Sequence, residues 1–263
     1  MTLLRAMLSR RWILTTLLVV AGTLVCVRLG IWQLDRLEQR RAFNERYLEA
    51  TLTSPLILES APLADLTLME YRTIFVTGRY DPINQVVLRN QFHDGEPGFL
   101  LLTPLVFADN TAILVARGWI PAAGNASPSD WRKYDQLEDV TLGGIIRLGQ
   151  TEPGLGGVPD PEGQSRLDFW NLVNVERISR QVPYPLASAF IQPDPDPALT
   201  APPYPSQPVI EVTEGPHMGY ALQWFSFAAL LFVGYPFFLR QMELGGSPVD
   251  SQQSAPVLQK DQK

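Results

Sequence analysis

His217-Met218-Gly219-Tyr220-Ala221-Leu222-Gln223-Trp224-Phe225 opens a stretch that stays uncharged as far as Leu239 and stops at Arg240. From Gly219 to Leu239 it supplies the roughly 20 predominantly apolar residues that a bilayer core demands of a helix. It begins with one of the two histidines in the chain. A residue able to ligate a metal therefore stands at the mouth of a predicted membrane span.

The charges around this stretch set its direction. No Lys or Arg occurs between Arg180 and Arg240, Glu211 and Glu214 precede the helix, and Arg240, Lys260 and Lys263 follow it. The positive-inside rule places the C-terminus in the cytoplasm. At the other end of the chain, Arg5, Arg10 and Arg11 precede an uncharged run from Trp12 to Val27, and Arg28, Leu29, Gly30, Ile31 and Trp32 follow. A basic start and an apolar run fit a signal peptide, but no small-x-small cleavage site closes the run. Val25 before Cys26 is too bulky for lipoprotein processing, so the segment reads as an uncleaved span with Arg28 snorkelling near one end. Arg28, Arg36, Arg40, Arg41 and Arg46 outnumber the arginines before the run, so this span does not orient itself. Two spans with an inside C-terminus put the N-terminus inside as well. The expected organisation is a cytoplasmic N-terminus over residues 1–11, a first span over 12–32, an extracytoplasmic domain over 33–216, a second span over 217–239 and a cytoplasmic tail over 240–263. The tail beyond Gly245 is polar and Gln/Ser-rich, which predicts disorder.

Composition narrows the function. In 263 residues the net charge is −6, which argues against a nucleic-acid partner, since that would require a basic patch. Cys26 is the only cysteine, so no internal disulfide and no multi-cysteine metal site can form. With 23 Pro and 19 Gly, the soluble part should consist of turns and short strands.

Leu34 to Ala50 reads as a surface helix extending from the membrane, and Pro55 and Pro62 mark a linker. Arg72 to Gly78 and Gln85 to Gln91 alternate as strands, with Asp81-Pro82 and His93-Asp94-Gly95 as turns. Phe99 to Phe107 and Ala112 to Trp119 form a predicted hairpin through Ala108-Asp109-Asn110-Thr111. Trp131 to Gln136 suits one helical turn, and Val140 to Leu148 is a strand whose Gly143-Gly144 marks a bulge or a close backbone approach. Gly149 to Gln164 is a loop. Arg166 to Leu172 reads as a strand, Val175 to Gln181 as a short helix and Ser188 to Gln192 as a strand before the proline-rich Pro193 to Pro208. The expected fold is two transmembrane helices flanking a mainly antiparallel β domain, barrel or sandwich, with short helices.

Taken in order, several motifs resemble the Surfeit locus protein 1 family of cytochrome c oxidase assembly factors. They are Leu29-Gly30-Ile31-Trp32-Gln33-Leu34-Asp35-Arg36, Tyr71-Arg72 with Gly78 and Tyr80, Gly98-Phe99 with Thr103-Pro104-Leu105, Leu114-Val115-Ala116-Arg117-Gly118-Trp119-Ile120-Pro121, and His217 with Tyr220-Ala221-Leu222-Gln223-Trp224-Phe225. The resemblance implies a non-enzymatic membrane chaperone of the respiratory chain. Such a protein receives or presents haem a for insertion into the oxidase catalytic subunit, with the haem a synthesis machinery as a further partner. The membrane would be a cell membrane, and the lack of an Arg- and Ser-rich transit segment favours a bacterial one.

The residues are consistent with that role. His217 is the expected haem iron ligand, with Tyr220, Ala221 and Trp224 on its helix face at i+3, i+4 and i+7. Trp32 and Arg36, at the first span's exit, are expected at about the same depth, with Arg28 or Arg36 available to a propionate. Arg117 either binds a propionate or fixes its own loop by bonding carbonyls or a carboxylate. His93 is expected to be solvated in its turn. Each aromatic also suits an ordinary interfacial belt. Hydrolytic catalysis lacks a Ser or Cys paired with a histidine, and no P-loop or dinucleotide fingerprint is present. The alternative to a haem chaperone is a scaffold that grips an oxidase subunit and binds no cofactor.

Overall fold

A computed structural model describes residues 3–59, 66–196, 198–204 and 210–244. The elements, in order, are α1 (Leu3–Met7), α2 (Ile13–Leu52), β1 (Leu56–Leu58), β2 (Thr73–Tyr80), β3 (Val86–His93), β4 (Glu96–Val106), β5 (Ala112–Pro121), β6 (Asp139–Leu148), β7 (Phe169–Trp170), α3 (Val175–Ser179), β8 (Leu186–Pro193) and α4 (His217–Leu244). They form two compact units. One is helical and takes the described residues of 1–43 and 213–263, and the other is β-rich and takes those of 44–212.

In the helical unit α2 and α4 are both long and apolar enough to cross a membrane. α2 continues past its apolar half because Arg, Glu, Gln, Ala and Leu in the second half are strong helix formers. It ends before Thr53-Ser54-Pro55, where proline disfavours helix in the residue ahead of it. α4 starts directly after Pro216, and it contains Pro236 without being interrupted, as membrane helices tolerate.

The two helices run antiparallel. Trp12 meets Phe238 edge-on at 5.9 Å, and the Thr16 hydroxyl lies 2.6 Å from the Tyr235 hydroxyl. A Cβ on Gly30 would fall 2.7 Å from the Phe225 ring. The facing stripes are Cys26, Gly30, Gln33 and Leu37 on α2 and Ala221, Ala228, Tyr235 and Leu239 on α4, all buried. Small residues at such a seam let the helices approach closely. Leu14, Leu18, Leu24, Leu230, Phe232 and Phe237 are exposed on the outside, the reverse of a water-soluble helix pair.

The β unit is a closed barrel. Strands pair in the order β2-β6-β8-β5-β4, and β4 returns to β2 through Arg79↔Val106 and Tyr80↔Leu105. Five pairings are antiparallel, namely β2–β4, β2–β6, β3–β4, β4–β5 and β6–β8. Three are parallel, β1–β2, β3–β7 and β5–β8. Period-2 alternation aims Ile74, Val76, Leu105, Ile113, Val115, Ile146, Ala189 and Ile191 into one buried cluster. The opposite face of β5 packs Leu114 and Ala116 with Val175 and Ile178 of α3. β5 is buried on both faces and so reads as a nearly continuous apolar run.

The hairpin β4–β5, the strands β2, β3, β6 and β8 and the helix α3 lie where the sequence puts them, within a few residues. The register of β2 with β6 is unbroken through Gly143 and Gly144, and a Cβ on Gly144 would lie 2.4 Å from the Gln192 carbonyl oxygen. A close backbone approach, rather than a bulge against β2, accounts for Gly144, while a Cβ on Gly143 would meet the side chains of Phe75 at 2.9 Å and Asp194 at 3.0 Å.

Four details differ from the sequence reading. The linker after Pro55 contains the three-residue parallel strand β1. The strand expected over Arg166 to Leu172 shrinks to the two residues of β7, because only Phe169 and Trp170 reach β3. The helical turn near Trp131 is a 3-10 turn over Pro128–Tyr134. In it the Ser127 N–H and hydroxyl both donate to the Asp130 carboxylate, which holds that carboxyl below its usual range. His93 ends β3 rather than lying in the turn, and its half-buried ring stacks on Tyr204 at 4.8 Å and lies 5.2 Å from Trp119. Pro62, the end of the proline-rich stretch at Pro208 and the tail from 245 onward lie outside the described residues.

Candidate functional site

The helix mouth is built from the last turns of the α2–α4 seam. His217 is the first residue of α4, and its Nδ1 lies 2.9 Å from Gln33 Oε1. An amide oxygen can only accept, so in this arrangement Nδ1–H donates and the Nε2 lone pair faces away from Gln33. No further partner of His217 occurs among the described residues. Directing one ring nitrogen with a hydrogen bond so that the other is available is the usual way a ligating imidazole is oriented.

Above this contact the chain entering α4 is tied to α2. Arg41 donates to both oxygens of Glu214 at 2.7 and 2.9 Å, and Arg40 donates to the Thr213 carbonyl oxygen at 2.9 Å. The bond from Arg41 holds the Glu214 carboxyl below its usual range.

The remaining residues expected at the mouth are arranged as follows. Trp32 is 41% exposed and carries the Arg36 guanidinium over its ring at 5.7 Å. Arg36 also donates to Gln39 at 3.0 Å. Tyr220 is 49% exposed beside Ala221 at 1%, so it lies at the rim of the face that packs on α2. Trp224 meets Phe227 edge-on at 6.0 Å. His217 and Gln33 are thus brought into direct contact, as are Trp32 and Arg36, while among the described residues Tyr220 and Trp224 make no side-chain hydrogen bond or ring contact with either pair.

Gln33 is the residue that sequence reasoning passed over. It sits inside the Leu29–Arg36 run, next to Trp32 and two residues before Asp35. The signal was its helical spacing from Gly30 and Leu37, which places it on the seam.

Arg117 belongs to the β unit. It is the extra residue of a bulge, since Leu102 pairs with Ala116 while Leu101 pairs with Gly118. Its guanidinium stacks on Tyr80 at 4.6 Å, and its Nη2 donates to the Tyr134 carbonyl oxygen at 2.8 Å. Nη1 is buried without a hydrogen-bond partner. Burial lowers the pKa of the guanidinium, with Tyr80 and Asp135 opposing the shift. Of the two roles weighed for Arg117, bonding a loop carbonyl is the contact observed here. Arg117→Ala is expected to cost the β unit about 1–3 kcal/mol, through the lost stack and the orphaned Tyr134 carbonyl. Pulse proteolysis of the full chain in detergent measures this, and an unchanged unfolded fraction would show that the bond contributes nothing.

The mouth supplies a single imidazole on the α2–α4 seam, and the Trp32–Arg36 pair lies around α2 from it. Among the described residues no group of three His, Cys, Asp or Glu could hold a bare metal ion. A single oriented imidazole would suffice for an iron porphyrin, because the macrocycle brings its own four ligands.

Two helices long and apolar enough to cross a membrane, one before and one after a barrel domain in the sequence, fit a membrane protein. The chain belongs to the SURF1 family, whose model matches residues 20–229. Membership implies a role in cytochrome oxidase assembly. A SURF1-like protein of Mycobacterium bovis is 28% identical over 255 residues, covering 90% of this chain and 89% of its own. One of Monosiga brevicollis is 29% identical over 229 residues, covering 81% and 83%. One of Rickettsia felis is 35% identical over 107 residues, covering 40% and 46%.

Proposed function

We propose that this protein receives haem a at the mouth of its helix pair and presents it to the catalytic subunit of cytochrome c oxidase during assembly. The observation that carries the reading is the 2.9 Å contact between His217 Nδ1 and Gln33 Oε1, which leaves Nε2 as a neutral donor for an iron. Haem a as cargo supplies an iron that accepts imidazole, an apolar tail that partitions into lipid and two anionic propionates. The half-exposed ring of Tyr220, one turn along α4 from His217, offers an apolar face near the membrane boundary, and Arg36 offers a cation for a propionate. The haem a synthesis machinery is the natural donor. In this reading both termini are cytoplasmic, and the β unit faces the outside of a bacterial cell membrane.

The test is a reduced-minus-oxidised visible spectrum of the full chain, co-expressed with haem a synthesis and purified in mild detergent. A haem a band that scales with protein is expected, and its complete absence would favour a cofactor-free scaffold. Topology is tested separately. A reporter active only outside the cytoplasm is expected to work when inserted within residues 149–164 and to be silent after Lys263. An active C-terminal fusion would overturn the two-span hairpin.

A further inference from the structure

The contacts along the seam put the two apolar runs in register. Trp12 meets Phe238 beside Arg11 and Arg240 at one level, and Gln33 meets His217 at the other. Between these levels Arg28 is the one charged residue on either helix. Gln33 lies five residues further along α2, so the Arg28 Cα sits about 7.5 Å inside the His217 level, at 1.5 Å of rise per residue.

Arg28 points away from α4. Cys26, Gly30, Gln33 and Leu37 form the seam. At about 100° per residue, Arg28 falls on the opposite side of α2 with Leu24, Ile31, Trp32 and Asp35. All five are exposed, and neither Arg28 nor Asp35 has a hydrogen bond or ion pair among the described residues. The Leu29–Arg36 run is thereby divided. Gly30 and Gln33 are explained by packing on α4, while Trp32 and Asp35 are not.

An unpaired guanidinium at this depth has two routes: it can climb to the phosphate level or find a carboxylate within the membrane. In a helix the Cα–Cβ bond tilts toward the N-terminus, which for α2 is the Arg11 end. The Arg28 side chain therefore starts out directed away from the nearer boundary. Trp32, one turn on, leans back over the same turn, and its ring is already held by Arg36. The climb is obstructed by geometry and by an occupied aromatic.

We propose that the Arg28, Trp32 and Asp35 face of α2 docks a membrane helix of a partner protein, and that this helix carries an aspartate or glutamate that pairs with Arg28. Intramembrane cations face a carboxylate, a carbonyl or a bundle interior rather than lipid tails. A second copy of this chain is a poor occupant, because neither helix holds an Asp or Glu between the two levels. Asp35, at the water-side end of the face, offers a site for a cation on the partner and so fixes its register. The inference rests on the membrane placement of the helix pair under Proposed function, and it is independent of haem.

The experiment places a photo-crosslinking amino acid at Leu24 or Ile31 of the full chain in native membranes. It is expected to capture a membrane span of another polypeptide that contains Asp or Glu. The same residue at Cys26 should capture α4 alone. Arg28→Leu should lower the Leu24 yield about tenfold, in the range that polar contacts between membrane helices contribute, and Arg28→Lys should retain most of it. Arg28→Asp should be rescued when the captured carboxylate is changed to arginine. Cross-links to lipid alone, to a second copy of this chain or to a span without a carboxylate would overturn the proposal, as would failure of the charge swap. Carbonate extraction separates the two readings. A chain washed out of the membrane fraction sinks both, whereas a retained chain with no carboxylate-bearing partner sinks this one alone.

Discussion

His217→Ala is expected to abolish the haem a band while the protein still inserts at wild-type level. The imidazole is the one histidine of the helical unit, and an alanine in its place leaves no nitrogen ligand at the mouth. Insertion should not suffer, because removing a polar ring from the end of an apolar helix does not weaken its partitioning. Gln33→Leu makes the test sharper. It leaves the ligand in place but removes the acceptor at 2.9 Å that sets the tautomer and the ring plane. Losing such an orienting partner typically costs about 10–100-fold in affinity, so Gln33→Leu should retain a band that saturates only at higher haem supply. His93→Ala should leave the band unchanged per unit of protein, although its stack on Tyr204 is lost. The measurement is the reduced-minus-oxidised spectrum of all four proteins at matched protein level. A full band in His217→Ala would remove the ligand assignment, and a wild-type titration in Gln33→Leu would remove the orienting role.

Gly98→Ala is expected to cost the β unit about 3 kcal/mol or more, enough to deplete the folded chain. A Cβ at this position would lie 2.2 Å from the Ile120 carbonyl oxygen and 2.4 Å from Nε1 and Cε2 of Trp119. The indole could rotate, but the carbonyl belongs to the central β5 ladder, where Gly98 pairs directly with Pro121. Trp119 has little freedom either. Its backbone exchanges hydrogen bonds with Tyr204 at 2.7 and 2.9 Å, and its ring packs with His93 and Tyr204. Gly98→Ala in a Trp119→Phe background should therefore be rescued only partly, because the carbonyl contact remains. Gly154→Ala, whose Cβ would meet nothing within 4 Å, is the control and should change stability by no more than about 0.5 kcal/mol. Protease resistance and membrane abundance of the full chain report the outcome. Wild-type resistance in Gly98→Ala would mean that β4 and β5 can separate at this point.

Gly98-Phe99 and the Arg117–Pro121 segment illustrate what a motif does and does not disclose. Their positions in the chain were legible, and so was the hairpin between them, because the turn residues and the alternating pattern are local. The reason for the glycine was not, since it lies in the Ile120 carbonyl and the Trp119 indole of the neighbouring strand. Arg117 carried two readings for the same cause: whether a guanidinium finds a carbonyl or a ligand depends on where Tyr134 arrives, seventeen residues later.

The helical unit divides in a similar way. Hydrophobic runs, flanking charges and the histidine at the mouth are properties of consecutive residues, and the sequence by itself determined them. It also determined most of the strands, because period-2 burial and turn chemistry act over a few residues. Only the tertiary structure decided that β5 and β8 pair in parallel, that β4 closes onto β2, that His93 stacks on Tyr204 and that Gln33 is the residue meeting His217. Each of those contacts joins segments far apart in the chain, and its partner is selected by packing rather than by local pattern. A parallel pair has no hairpin to announce it, and a helix seam is chosen by which small residues let two backbones approach.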